Sequence, residues 1–277
     1  MSHSTVLVIG ENPEKLLAPF DENKRVKGYM KECWCVNHEA KNAGFHAAEA
    51  VKPFEQIRKE YHALPEDQKT DAKWKEVVGD YEAIEKKVIE AHPMFQKPDP
   101  KCTDCKGTGQ HKTTYNPKSK WDWYELGGRW TGYFLLKAGA KGKVGRPGVM
   151  TAPSTNPLEA DQARKCDIDW EGMKQRDRET AEKSWAEFQA DLAKPDSSAH
   201  FMWGIKKGMT KEEYVASRSH PSTFAVLKDG VFYEKGSMGW RGIVTNEKDQ
   251  AKWEAEFDKL LKELPESTLL SVYDVHI

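Results

Sequence analysis

Four of the five cysteines fall into two close pairs, Cys33-Trp-Cys35 and Cys102-Thr-Asp-Cys105, while Cys166 stands alone. In an intracellular chain, pairs at such spacing point to a metal before they point to a disulfide framework. Two thiolates separated by two residues can grip one ion, and Gly107 and Gly109 permit the tight turn that aims backbone N–H groups at the sulfurs. A structural zinc site takes four ligands, so the reading is Zn²⁺ held by Cys33, Cys35, Cys102 and Cys105. His38, His46 and His111 are reserve ligands, because Cys-x-Cys bites one ion less comfortably than Cys-x-x-Cys. The competing reading is ordinary reduced cysteines in a metal-free turn, and the plant-type ferredoxin spacing is absent.

The second stretch with chemical potential is Asn116-Pro-Lys-Ser-Lys-Trp-Asp-Trp-Tyr-Glu-Leu-Gly-Gly-Arg-Trp-Thr-Gly. Trp121, Trp123 and Tyr124 are interleaved with Lys118, Lys120 and Arg129. Aromatic faces beside cations suit stacking on a base while Arg129 grips a phosphate in bidentate fashion. Against this, large aromatics are mostly core, the glycines can make the turn into a strand from Trp130 to Leu136, and Arg129 can pair with Asp122 or Glu125. Further on, Asp167 and Asp169 fall on one side of an extended segment, where two carboxylates could hold a divalent cation for phosphoryl chemistry. They suit equally a solvated face before a helix N-terminus. Phosphate-loop, dinucleotide, nucleophile-elbow and His-Glu-x-x-His signatures are missing, and His200, His220 and His276 are scattered singles.

Bulk charge does not set these segments apart. The 277 residues carry 43 Lys and Arg against 44 Asp and Glu, which excludes a histone-like wrapper or an acidic tail protein. Residues 97–148, however, hold eleven basic against four acidic side chains, a net +7 that leaves −8 for the remainder. No apolar run approaches the roughly 20 residues of a membrane-spanning helix, and the mean hydropathy is −0.80. Thr5 to Ile9 is too short for a signal-peptide core, so a soluble cytoplasmic protein is expected.

The elements that must position these residues follow from periodicity. Thr5–Ile9 is a continuous apolar run suited to a strand buried on both faces, followed by loop to about residue 38. Ala47, Val51, Phe54, Ile57, Tyr61 and Leu64, then Trp74, Val77, Val78, Tyr81, Ile84 and Val88, predict an antiparallel helical hairpin turned at Leu64-Pro65. Such a hairpin would return the chain to its start and join the two cysteine pairs. Gly145 to Pro157 reads as irregular. A third helix runs through Ala181, Trp185, Phe188 and Leu192 to a stop near Pro195, and Thr210 with Glu213 has capping-box spacing for a fourth. Two apolar runs about Asp229-Gly230 predict a hairpin, Asn246 is placed to cap a fifth helix, and Thr268–Ile277 reads as a final strand.

The predicted fold is therefore α+β, with a mixed or antiparallel sheet of split βαβ (ferredoxin-like) type carrying a helical-hairpin and zinc-knuckle insertion. It forms a single domain over 1–277. Within it, 39–112 is the insert, 113–148 the basic aromatic segment, 149–221 a loop and helix insert, and 222–277 the hairpin, helix and strand that complete the sheet.

Cys-Thr-Asp-Cys-Lys-Gly-Thr-Gly resembles one repeat of the zinc modules of DnaJ-type chaperones, and the single copy implies metal binding without chaperone activity. The aromatic and arginine block, Asp167-Ile-Asp-Trp170 and the ending Leu-Leu-Ser-Val-Tyr-Asp-Val-His-Ile resemble a family of bacteriophage and bacterial proteins sometimes labelled ferredoxin or zinc-finger-like. That resemblance implies phage origin and action in the cytoplasm of an infected bacterium. The expected function is a zinc-stabilised binding protein that engages a host macromolecule, protein or nucleic acid, through Lys118, Lys120, Trp121, Trp123, Tyr124 and Arg129. The alternative is an enzyme or binder acting on a nucleotide or phosphoryl ligand with Arg129, Asp167 and Asp169.

Overall fold

A computed structural model describes residues 2–65, 68–149, 151–194, 198–205, 207–239 and 244–276. The chain divides into two compact units, Met1–Arg25 with Tyr115–Ile277, and Val26–Thr114. The inserted unit thus begins well before residue 39, where the sequence first turns helical.

The discontinuous unit is built on a seven-stranded mixed sheet. Its order is Val231–Glu234, Ala225–Lys228, His3–Ile9, Leu269–His276, Trp123–Gly128 and Arg146–Pro147, with Gln162–Arg164 pairing to the other end of Leu269–His276. His3–Ile9 runs parallel to Ala225–Lys228 and antiparallel to Leu269–His276. A split βαβ unit keeps a strand between its parallel pair; Val231–Glu234 runs parallel to Leu269–His276 with two strands between them, whereas His3–Ile9 and Ala225–Lys228 are parallel direct neighbours, and the α+β class and the mixed sheet hold.

The apolar run of the first strand is continuous because both faces of the sheet are covered. With side chains alternating, Leu7 and Ile9 join Val226, Leu270 and Val272 on one face, while Val6 and Val8 join Ala225, Leu227, Tyr273 and Val275 on the other. The first face packs on helix Gln250–Lys262 through Trp253, Phe257, Leu260 and Leu261, each burial contributing about 1.5–3 kcal/mol. That helix is capped by Asp249, whose side chain accepts from the N–H groups of Ala251 and Lys252. Asn246, the expected cap, lies upstream at φ 52°. The second face packs on Trp121 and on Leu17 and Phe20, the latter two contributed by a short helix Pro13–Leu17 and the turn after it, in a segment whose polarity suggests only loop.

Elsewhere the periodic signals translate directly. Asp229 at φ 52° and Gly230 at φ 75° turn the hairpin. Thr210 and Glu213 form the reciprocal capping box of helix Lys211–Arg218. The third helix is longer than its stripe, Trp170–Leu192, and Pro195 lies outside the described residues. The strand expected over Trp130–Leu136 shrinks to Phe134–Leu135, since the residues before it are turned around buried carboxylates. Among the described residues no helix is long and apolar enough to cross a membrane.

In the Val26–Thr114 unit the expected hairpin is present, but each arm is broken once. Helices His38–Val51 and Phe54–His62 are separated at Lys52-Pro53, because proline restricts the residue before it to extended backbone. Helices Asp71–Val78 and Tyr81–Ala91 are separated at Gly79. The outer pair and the inner pair each pack together, around Ala48, Ile57, Val78 and Tyr81.

Candidate metal centre

The cysteine pairs meet because a two-stranded ribbon delivers them to one end. Tyr29–Glu32 pairs antiparallel with Gln110–Thr113, placing Glu32 opposite Gln110. The residues just past that end, Cys33 and Gly109, then join through Cys33 N–H donating to the Gly109 carbonyl at 2.8 Å. After Cys102, the Lys106 N–H donates to the Cys102 carbonyl at 2.8 Å and the Thr108 N–H to the Cys105 carbonyl at 3.1 Å. The turn is completed in left-handed backbone at Lys106, Gly107 and Gly109. At Gly109, φ 77°, this directs its N–H onto Cys105 Sγ at 3.4 Å.

All four sulfurs lie within 4.8 Å of one another, with Cys33 Sγ 3.6 Å from Cys102 Sγ and Cys35 Sγ 3.4 Å from Cys105 Sγ. Tetrahedral coordination with metal–sulfur bonds of about 2.3 Å requires sulfur separations of roughly 3.8 Å, so the set fits one ion. All four are free thiols and buried, none more than 7% exposed. Among the described residues the cluster contains these four groups and no imidazole; His38 packs its ring against Trp34 and His46 against Phe45, while His111 sits in the ribbon opposite Lys31.

Without a cation these sulfurs cannot all be ionised. Burial, then the neighbouring Cys105 thiolate, push the Cys35 thiol up to about 12. At Cys105 burial also acts upward, but the Gly109 N–H and the surrounding thiols donate to its sulfur and bring it down to about 7. A divalent cation takes the place of protons on the thiols it binds, so occupancy must fall as pH falls.

The Gly-Gly-Arg-Trp-Thr-Gly turn has a different basis. Asp161, fully buried, accepts from the N–H groups of Gly132 at 2.7 Å, Tyr133 at 3.1 Å and Gly145 at 2.7 Å, and from the Thr131 hydroxyl at 3.1 Å. Asp274, also buried, accepts from the Arg129 N–H at 3.0 Å and contacts His3 Nδ1 at 2.8 Å. A Cβ on Gly127 would lie 2.6 Å from Asp161 Oδ2, and one on Gly128 would lie 2.3 Å from Asp274 Cβ. Both glycines are therefore required by the carboxylates they enclose. Neither Asp161 nor Asp274 is visible as a site in sequence, because their partners are mostly backbone groups far along the chain.

No protein-family model matches the chain, and no curated protein or solved structure matches it. The placement of each candidate residue must then be read from the chain itself. Trp121 is core, Tyr124 is half-buried against Tyr273, and Trp123, next to it on the strand, faces the other way beside His3 and is 42% exposed. Lys118 and Arg129 are exposed. Lys120 is half-buried, its Nζ 3.1 Å from both Glu234 oxygens and 5.0 Å from the centre of the Phe232 ring. Arg129 does not pair with the acids beside it, since Asp122 meets His276 and Glu125 meets Arg146. Nor does any contact among the described residues join it to Asp167 or Asp169. Asp169 caps helix Trp170–Leu192 by accepting from the Gly172 N–H at 2.9 Å, and Asp167 closes a short 3₁₀ turn.

Proposed function

We propose that the protein is a zinc-binding protein of bacteriophage type, acting in the cytoplasm of an infected bacterium by engaging a host macromolecule. The zinc reading is carried by one observation, the four buried thiols within 4.8 Å. A soft, four-sulfur, tetrahedral donor set selects zinc or an iron–sulfur centre, and the sequence lacks plant-type ferredoxin spacing. Bound there, zinc supplies a cross-link without redox chemistry. The chain's part is to hold Cys33 on the ribbon end, to fold Cys102 and Cys105 around the Gly109 N–H, and to exclude water from all four sulfurs.

For the partner, the exposed cations Lys118, Arg129, Lys141 and Lys143 and the exposed indole of Trp123 favour nucleic acid over protein. Phosphates pair with the cations and a base stacks on the indole, each stacked base contributing about 1–3 kcal/mol. The test is binding of a fluorescent single-stranded oligonucleotide at two salt concentrations. Affinity should fall about tenfold or more between about 50 and 200 mM salt, and a Lys118→Ala, Arg129→Ala variant should show a shallower dependence. Absence of binding at low salt, or binding unchanged in that variant, would remove nucleic acid as the partner.

A further inference from the structure

We infer that a cavity beside the first strand, lined by none of the exposed cations or cysteines named above, is a binding site for a neutral, amino-bearing nucleobase or its free nucleoside. The cavity holds about 280 Å³. That is just below the usual range of ligand sites, roughly 300 to 1,000 Å³, and it suits a single nucleobase.

Its apolar wall is aromatic. Trp121 and Phe232 line it with ring centres 5.7 Å apart and planes at 62°, and Phe224, Met238 and Val275 complete the surface. Trp121 is 2% exposed, and its backbone is satisfied by Phe20 and Glu22. Its indole N–H, however, is buried with no partner among the described residues. A buried donor left unpaired is costly, and an acceptor on a ligand removes that cost. The ring nitrogens and carbonyls of a base are such acceptors.

The rim fixes the charge of the ligand. Lys120 is its one cation among the described residues, and both oxygens of Glu234 already neutralise it. Glu22 also lines the cavity, with the Tyr115 hydroxyl 3.5 Å from it and the Ser119 hydroxyl donating to Tyr115 at 2.8 Å. Among the described residues one lysine against two carboxylates leaves the mouth net negative. A phosphate meets uncompensated carboxylate there, whereas an exocyclic amino group finds acceptors. The same arithmetic separates this site from phosphoryl chemistry, which needs free cations.

Calorimetric titration of the intact protein with adenosine, cytidine, uridine and adenosine monophosphate tests the inference. Adenosine or cytidine should bind with a dissociation constant of about 1 mM or tighter. Uridine, lacking the amino group, and the monophosphate should each bind at least about fivefold more weakly. Trp121→Phe keeps an aromatic wall and removes the orphan donor, and should weaken adenosine about tenfold. Glu234→Gln frees Lys120, and should narrow the gap between adenosine and the monophosphate. No heat from adenosine or cytidine at millimolar concentration overturns the inference, as does a monophosphate that binds more tightly than its nucleoside. The native-protein titrations decide the matter even if the Trp121→Phe variant fails to fold.

Discussion

Two buried centres in this molecule hold acidic groups on opposite terms. Around Asp161 the chain supplies three backbone N–H groups and a hydroxyl to one carboxylate, so the charge is satisfied by protein dipoles alone. Around the four cysteines the backbone donors are spread thinly among the described residues, Cys35 toward Cys33, Asp99 toward Cys35 and the Gly109 N–H on Cys105, and the sulfurs otherwise face each other. Buried polar groups persist only when they are paired. The carboxylate is complete without a cation, and the thiols are not. A cluster of acidic groups thus signals a metal when the surrounding backbone leaves it short of donors.

Metal removal should separate the two centres most sharply. Structural thiolate sites contribute on the order of 10 kcal/mol to folding, so chelation should expose Val26–Thr114 to limited proteolysis while the unit bearing the sheet stays resistant. Equal resistance of both units after metal removal would break the contrast. Asp161→Ala should do the converse. It strands three N–H groups, one of them fully buried, lowers stability by about 3–5 kcal/mol in denaturant titration, and leaves metal content unchanged. A smaller effect belongs to Gly128→Ala, where φ 57° and the contact with Asp274 should together cost about 1–3 kcal/mol. Asp169→Ala should cost only about 1 kcal/mol, as expected for a helix cap, with ligand binding unaffected. A loss of ligand binding without a change in stability would return Asp169 to the candidate site residues.

What was legible in sequence was local. The cysteine pairs announce themselves by spacing, and Asp229-Gly230, Thr210 with Glu213 and the stripe from Trp253 to Leu261 specify their turn, cap and buried face within a few residues. What was hidden depends on partners far along the chain. The ribbon that aligns the cysteines joins two polar tetrapeptides, Tyr29–Glu32 and Gln110–Thr113, without apolar alternation to betray them. Asp161 bonds to backbone groups as far away as Gly132, and Glu234 reaches Lys120 across 114 positions. The order of strands across the sheet is hidden as well, because sequence alone does not say which strand of a hairpin lies inside; the parallel register of Val6 with Ala225 decides it.

The central claim is that four thiolates hold one zinc ion, and metal stoichiometry of the purified protein tests it most directly. One zinc per chain, lost in a Cys102→Ser, Cys105→Ser variant and retained in Asp161→Ala, is the predicted result. A protein purified without chelator that carries no stoichiometric metal, or keeps its zinc after both cysteines are replaced, would contradict it.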